Sequence, residues 1–228
     1  MNDLFSHPIQ QNKTLTRRDL EALVGFAQTL VDCDLDEVDL SGLDLTGWKF
    51  ERCNLRRCDL QRAMLEGTAW FSCRGAFASF ATSDLTDGCF VSCDFNNVSF
   101  KGATLQEGRF SQCKLTGADL SDVRAFDIAF DETLLINAKL PGQSFHKAVL
   151  NRVDFSQADL RKCDFRQATL DGCSLREANV AGSRFAGADL RGADLGGLRL
   201  IDANLFRGAT ISREQAGQLL GELGLNVR

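Results

Sequence analysis

From Asn151 to Thr210 the chain can be cut every five residues: NRVDF, SQADL, RKCDF, RQATL, DGCSL, REANV, AGSRF, AGADL, RGADL, GGLRL, IDANL, FRGAT. A Leu, Phe or Val closes each block until Thr210. A period of five fits neither the 3.6 residues of a helical turn nor the two-residue alternation of a strand. Such a chain has to turn a corner every five residues. Carried backwards, the frame covers every multiple of five from Leu35 to Leu205, which is 35 positions, and 31 of them are Leu or Phe. Trp70, Gly75, Ala125 and Val180 are the exceptions, and the frame shows no slip or insertion.

Two residues before each large apolar position stands a second inward candidate, usually small, as at Cys33, Val38, Cys53, Ala63, Cys73, Ala103, Ala118 and Ala158. A narrow interior at native packing density cannot take two large side chains per block. Asp or Asn often precedes the large residue, as at Asp59, Asp119, Asp159 and Asn204, where a short polar side chain can bond nearby backbone at a turn. A longer period of twenty is also present. Cys33, Cys53, Cys73, Cys93, Cys113 and Cys173 share one column, and Phe50, Trp70, Phe90, Phe110 and Phe130 another. Four blocks per coil, with coils about 4.8 Å apart as paired strands are, would stack these residues into ladders.

This pattern resembles the A(D/N)LXX repeat of the pentapeptide-repeat family over about three quarters of the chain. The resemblance implies an all-β solenoid: a right-handed, quadrilateral parallel β-helix, here with short N-terminal and C-terminal α-helices. The expected organisation is a tail and capping helix over 1–31, the β-helix over 32–210, and a C-terminal helix and dimerisation segment over 211–228.

A net charge of −5 over 228 residues argues against a general nucleic-acid binder, whose affinity rests on Lys and Arg at phosphates. There is no apolar run of 18 residues, hence no expected membrane span. The start, MNDLFSHPIQQNK, has no secretory pattern, so a cytoplasmic protein is expected. Eight of the nine cysteines occupy the small inward position and only Cys89 does not, which reads as reduced, buried packing thiols. With only His7 and His146 as histidines, no metal site, cofactor or catalytic constellation is expected.

Thr16, followed by Asp19, looks like a capped helix start, and Leu20, Leu23, Val24, Ala27, Leu30 and Val31 predict an amphipathic helix over 17–31. The first coil is acidic, with Asp32, Asp34, Asp36, Glu37 and Asp39. One face then carries Asp44, Glu66, Asp84, Asp87 and Glu107 with no Lys or Arg, an acidic stripe about four coils long. Around Trp70–Gly75 the blocks lose their usual form, predicting a local bulge, with Phe71 exposed. From Ser121 to Leu150 the pattern weakens again and two differently packed stacks meet. At the end, Ser212 and Gln215 form a capping box, and Ala216, Leu219, Leu220 and Leu223 share a helical face before Leu225 and Val227. These six residues are the candidate interface of a two-fold homodimer.

The C-terminal EQAGQLL and LGLNV elements also resemble those of the gyrase-guarding branch of the family, the Qnr, MfpA and McbG types. Those are acidic dimers joined through C-terminal helices and similar to a DNA duplex in width and charge. The resemblance implies a non-enzymatic partner of DNA gyrase or a related type II topoisomerase that protects it from inhibitors, with no direct nucleic-acid binding. The alternative is a rigid scaffold or secreted effector with a different protein partner.

Overall fold

The structure, a computed structural model, describes residues 8–198, 203–222 and 224–227. The chain forms two compact units, Met1–Ile128 and Ala129–Arg228. Each is a parallel β-solenoid with twenty residues per coil. In the first unit the strands β1 (Ile9–Gln11), β2 (Thr29–Val31), β3 (Lys49–Glu51), β4 (Ala69–Phe71), β5 (Cys89–Val91) and β6 (Arg109–Ser111) make one side of the coil. They pair in parallel with residue n opposite n+20, as in Phe50 with Trp70. The other three sides are single-bridge ladders in the same register: Asn54 with Arg74, Asp59 with Ser79, and Asp44 with Met64. In the second unit β7 (Ala129–Asp131), β8 (Val149–Asn151) and β9 (Thr169–Asp171) repeat the first side. Below, the sides are numbered one to four from these strands onward.

The five-residue rule is met by burial on every side. Leu35, Leu40, Leu45 and Phe50 are all fully buried, and so are the small partners Cys53, Cys58 and Ala103. The corners explain why a chain with L side chains can turn so often. At the corner after the second side, the Val38 amide donates to the Leu35 carbonyl (3.1 Å), and Glu37 between them sits at φ 61°. A β-turn of this kind needs a left-handed third residue. Stacked rings line the interior: Phe50 on Trp70 at 4.0 Å and Phe90 on Phe110 at 4.7 Å in the first unit, Phe145 on Phe165 and Phe165 on Phe185 at 4.8 Å in the second.

The cysteine column lies at the corner after the first side, where its thiols donate to main-chain carbonyls. Cys93 Sγ, for example, reaches Trp70 O and Val91 O at 3.4 Å. Thr133 takes the same place in the second unit and its hydroxyl donates to Asp131 O (2.8 Å), while Val153 and Ala193 fill it without a donor. The column thus selects a small side chain and uses a donor where one is present. All nine cysteines are free. Burial pushes the thiols of Cys163 and Cys173 up to about 12 and about 11, which keeps them protonated and unreactive at neutral pH.

Four sequence expectations are corrected. The helix predicted over 17–31 is only α1, Arg17–Glu21, with the Thr16–Asp19 capping box in place. The frame of five runs on through Leu15, Leu20 and Leu30, all buried, and β1 pairs with β2 in register. Ladder pairing therefore wins over the helical spacing, and the coils begin at Ile9 rather than at 32. Second, no bulge forms at Gly75, since Arg74 keeps its bridges to Asn54 and Asp94. A Cβ on Gly75 would stand 2.0 Å from Phe95 Cε1, so the missing side chain is room taken by the ring of the next coil. Third, Phe71 is half-buried with Lys49 Nζ 5.0 Å from its ring centre, and the exposed aromatic of this region is Phe77.

The fourth concerns the frame itself, which does slip. A 3-10 helix, Ala203–Phe206, places Phe206 rather than Leu205 on Phe185, at 4.7 Å, and Thr210 bridges Asp189 at a separation of 21. The weak stretch from Ser121 to Leu150 contains the division between the units at Ile128 and Ala129, and within it Val123 and Ala125 fail to bury.

The last coil is closed by α2 (Arg213–Glu222). Gln215 is buried and its Nε2 donates to Leu190 O and Ala193 O, both at 2.7 Å. One coil earlier, Cys173 O accepts the Asp194 amide, so Gln215 stands in for the N–H of a further coil. The Glu222 carboxylate accepts from the Gly197 amide (3.0 Å), in place of a further coil's carbonyl. The helix thus satisfies an open edge that would otherwise recruit another strand.

Candidate functional site

The fourth side of the first unit includes 43–47, 63–67, 83–87 and 103–107, LDLTG, AMLEG, SDLTD and ATLQE, and ends on 123–127, VRAFD, where Arg124 is its one cation. All five predicted acids lie here and all are exposed. Asp44 and Asp84 precede the inward leucine and serve the corner: Asp44 Oδ1 accepts the Thr46 amide (3.1 Å), and Asp84 Oδ1 accepts both the amide (3.1 Å) and the hydroxyl (2.7 Å) of Thr86. Glu66, Asp87 and Glu107 have no such duty. Asp87 and Glu107 occupy the left-handed corner position at φ 57° and 54°, and Asp127 follows them in the next coil at 57°.

What sets this side apart is the lack of compensation. Elsewhere in the first unit several acids are paired, Asp32 with Arg52 at 2.8 Å, Glu37 with Arg57 at 2.5 Å and Asp39 with Arg17 at 3.1 Å, although Asp34, Asp59 and Asp94 have no ion pair among the described residues. The hydrogen bonds from Arg52 hold the Asp32 carboxyl below the usual carboxylate range. Among the described residues none of Asp44, Glu66, Asp84, Asp87 and Glu107 has an ion pair. Asp87, Glu107 and Asp127 instead stack acid upon acid, and like charges directly opposite one another on neighbouring strands are destabilising. Five charges over three coil rises of about 4.8 Å amount to roughly one per 3 Å, against about one per 1.7 Å for duplex DNA.

Sequence reasoning missed three residues here. Asp127 extends the corner column. Met64, 48% exposed, interrupts the Asp44–Asp84 ladder, and Phe126, 69% exposed, stands at its far end beside Arg124. Their signal was available, since an apolar residue in an outward place of the frame is unusual.

The predicted C-terminal set is divided. Ala216 is half-buried, and Leu219 is already buried against its own chain, one turn beyond Gln215 on the capping face of α2. Leu220, Leu225 and Val227 are exposed, and Leu223 lies outside the described residues. Among the described residues, no group of His, Cys, Asp or Glu is placed to hold a metal ion, and no helix is long and apolar enough to cross a membrane.

Several solved structures share this fold. QnrB1, a plasmid-mediated fluoroquinolone resistance protein, matches in a trypsin-treated form with TM-score 0.59 at 20% identity, covering 97% of this chain and 98% of that one. Its full-length form gives 0.57 at 20% identity over 96% and 98%. HetL, involved in heterocyst differentiation regulation in the cyanobacterium Nostoc sp. strain PCC 7120, gives 0.64 at 23% identity over 90% and 87%. Comparison with curated protein sequences gives no match. The family described as pentapeptide repeats matches in eight copies over residues 33–68, 93–125, 130–167 and 168–205. With most of its length accounted for by these repeats, the chain belongs to the pentapeptide-repeat family.

Proposed function

We propose that this is a binding protein rather than an enzyme, acting in the cytoplasm on DNA gyrase or a related type II topoisomerase and protecting it from inhibitors. The observation that carries the reading is the uncompensated fourth side, where Asp87, Glu107 and Asp127 stack in one column and five carboxylates have no ion pair among the described residues. Asp44 and Asp84 serve their corners, but Glu66, Asp87 and Glu107 make no such bond for the fold. A positively charged groove built for duplex phosphates gives them a use. The full-length likeness to QnrB1, named as a fluoroquinolone resistance protein, fits the same reading, while the likeness to HetL leaves a different protein partner as the alternative. Because the charge density is about half that of duplex DNA, local contacts must add to it, and Met64 and Phe126 are placed to supply them.

Changing Glu66, Asp87 and Glu107 together to Lys is expected to weaken binding to the host's gyrase at least tenfold at low salt. Reversing Asp122, Asp171 and Glu177 should cost much less. The two triple variants would be compared in a supercoiling assay with and without a quinolone, and equal loss from both would remove the case for a localised stripe. No binding by the unaltered protein would remove gyrase as the partner.

We further propose a homodimer through the C-terminal segment, where Leu220, Leu225 and Val227 are left uncovered by their own chain. Leu220→Glu would strand a charge in that contact, and the variant should sediment as a monomer with an unchanged β spectrum. An unaltered protein that is already monomeric at micromolar concentration rules the dimer out.

A further inference from the structure

The second unit sorts its charges by side. On its third and fourth sides over 138–147, 158–167 and 178–187, Lys139, Lys147, Arg161, Lys162, Arg166 and Arg184 face two acids, Asp159 and Asp164: six cations against two carboxylates, a local balance of +4. On its first and second sides, three arginines (152, 176 and 191) face seven acids, a balance of −4. The net charge of −5, which argued against nucleic acid, averages over this separation. We infer that the third and fourth sides of the second unit bind the phosphate backbone of duplex nucleic acid, independently of any topoisomerase.

Three of the cations, Arg161, Arg166 and Arg184, are held in place by carboxylates. Asp164 is only 8% exposed, and its Oδ2 accepts from Arg166 Nη2 (2.7 Å) and Arg184 Nη2 (2.8 Å). One buried carboxylate thus sets two guanidinium groups side by side, each with donors to spare of its five. The bonds from Arg166, with Arg184 adding, hold the Asp164 carboxyl below the usual carboxylate range. Arg161 is fixed on Asp159 in the same way, through Nε (2.7 Å) and Nη2 (2.6 Å). Lys147 and Lys162 are exposed at corner positions, φ 60° and 61°, with no carboxylate partner among the described residues.

The surface around these cations favours a polyphosphate over a protein. A protein interface has an apolar, charge-depleted centre. The exposed large apolar residues described in this unit are Val149 on the first side and Ile211, Leu220, Leu225 and Val227 in the C-terminal segment, so none lies on the third or fourth side. Of the other corners Gly142, Gly182 and Gly187 carry no side chain, while Gln167 occupies the corner between Lys147 and Gly187, and the bare backbone at the glycines lets a polymer lie close. A coil rise of about 4.8 Å spans about three duplex charges at one per 1.7 Å, so cations on successive coils each find a phosphate within reach.

The test is anisotropy of a labelled 20-base-pair duplex with the full chain and no topoisomerase. Engagement of three to four phosphates gives a salt slope near −3, so affinity should fall about 40- to 150-fold between 25 and 100 mM salt. Reversing both free lysines (Lys147→Glu with Lys162→Glu) should lower affinity more than tenfold at 25 mM. The control, Lys101→Glu with Lys114→Glu in the first unit, should change it less than threefold. Glutamate already occupies left-handed corner positions, Glu107 in the column of Lys147 and Glu177 at the corner after the second side, and a Gln pair at the two lysines guards against misfolding. The inference is overturned by any of three results: no duplex binding by the unaltered protein at 25 mM salt, equal loss from both double variants, or tighter binding to phosphatidylserine vesicles than to duplex at equal phosphate. Low-salt self-association that excludes the duplex would also overturn it, by showing that a second copy takes this surface.

Discussion

Replacing Gly75 by leucine is expected to destabilise the first unit by about 3 kcal/mol, the upper range for overpacking a filled core. Its Cβ would stand 2.0 Å from Phe95 Cε1 and 2.3 Å from Cδ1. The ring cannot swing clear, because it already packs edge-on against Phe80 and Phe90, each at 5.8 Å. Shortening Phe95 to leucine alone should also destabilise, since Gly75 offers nothing to fill the space. The two changes together should compensate. This column reads Leu35, Leu55, Gly75, Phe95, Leu115, and the double variant restores leucine throughout. Urea midpoints of the two single variants and the double one give a coupling term, expected at about 2 kcal/mol for residues in direct contact. Additive losses would mean that the two positions do not share one space.

Much of the molecule could be read from its period. The inward residues, the ladders and the small partners follow from steric demands that each coil repeats, so position in the frame fixes burial at Leu60, Phe100 and Leu160. The frame misled where a coil lacks a neighbour or changes length. Over 17–31 the spacing of Leu20, Leu23, Val24 and Ala27 satisfies a helical template, but Leu15, Leu20 and Leu30 satisfy the frame of five as well, and only the pairing of β1 with β2 decides between them. Near the other end, Leu205 kept the frame on paper while Phe206 offered a better ring for Phe185. At Gly75 the missing side chain looked like a backbone irregularity, because the compensating bulk lies twenty residues away.

The acidic side was legible in part. Its five carboxylates are visible as a face without Lys or Arg from 43 to 107, but their lack of compensation is a statement about neighbours one coil away. A separation of twenty carries the pairing: Asp32 with Arg52, Glu37 with Arg57 and Asp164 with Arg184. The same separation joins Asp87 to Glu107 and Glu107 to Asp127, and this rule also reveals the sorting of charge in the second unit. Net charge hides both features because it is a sum over all sides.

Replacing Gln215 by methionine, close in length but without hydrogen-bonding groups, is expected to free α2 from the last coil. Gln215 Nε2 supplies the bond to Ala193 O that the amide of a further coil would make, and its Oε1 accepts the Ser212 amide at 2.6 Å. Losing the donor leaves a carbonyl at a buried site unpaired, at about 1–3 kcal/mol, with the lost bonds themselves adding about 1 kcal/mol each. Local opening of α2 should therefore rise by roughly 30-fold or more, since each 1.4 kcal/mol is a factor of ten. Hydrogen exchange would report it at the α2 amides and at Gly197, whose N–H is held by Glu222, while β7 to β9 keep their protection. The last coil would also present an unsatisfied edge, so the variant should aggregate at concentrations where the unaltered protein stays dispersed. If the α2 amides exchange at the same rate in both proteins, the cap is held by Leu219 and the packing around it, and Gln215 is not its anchor.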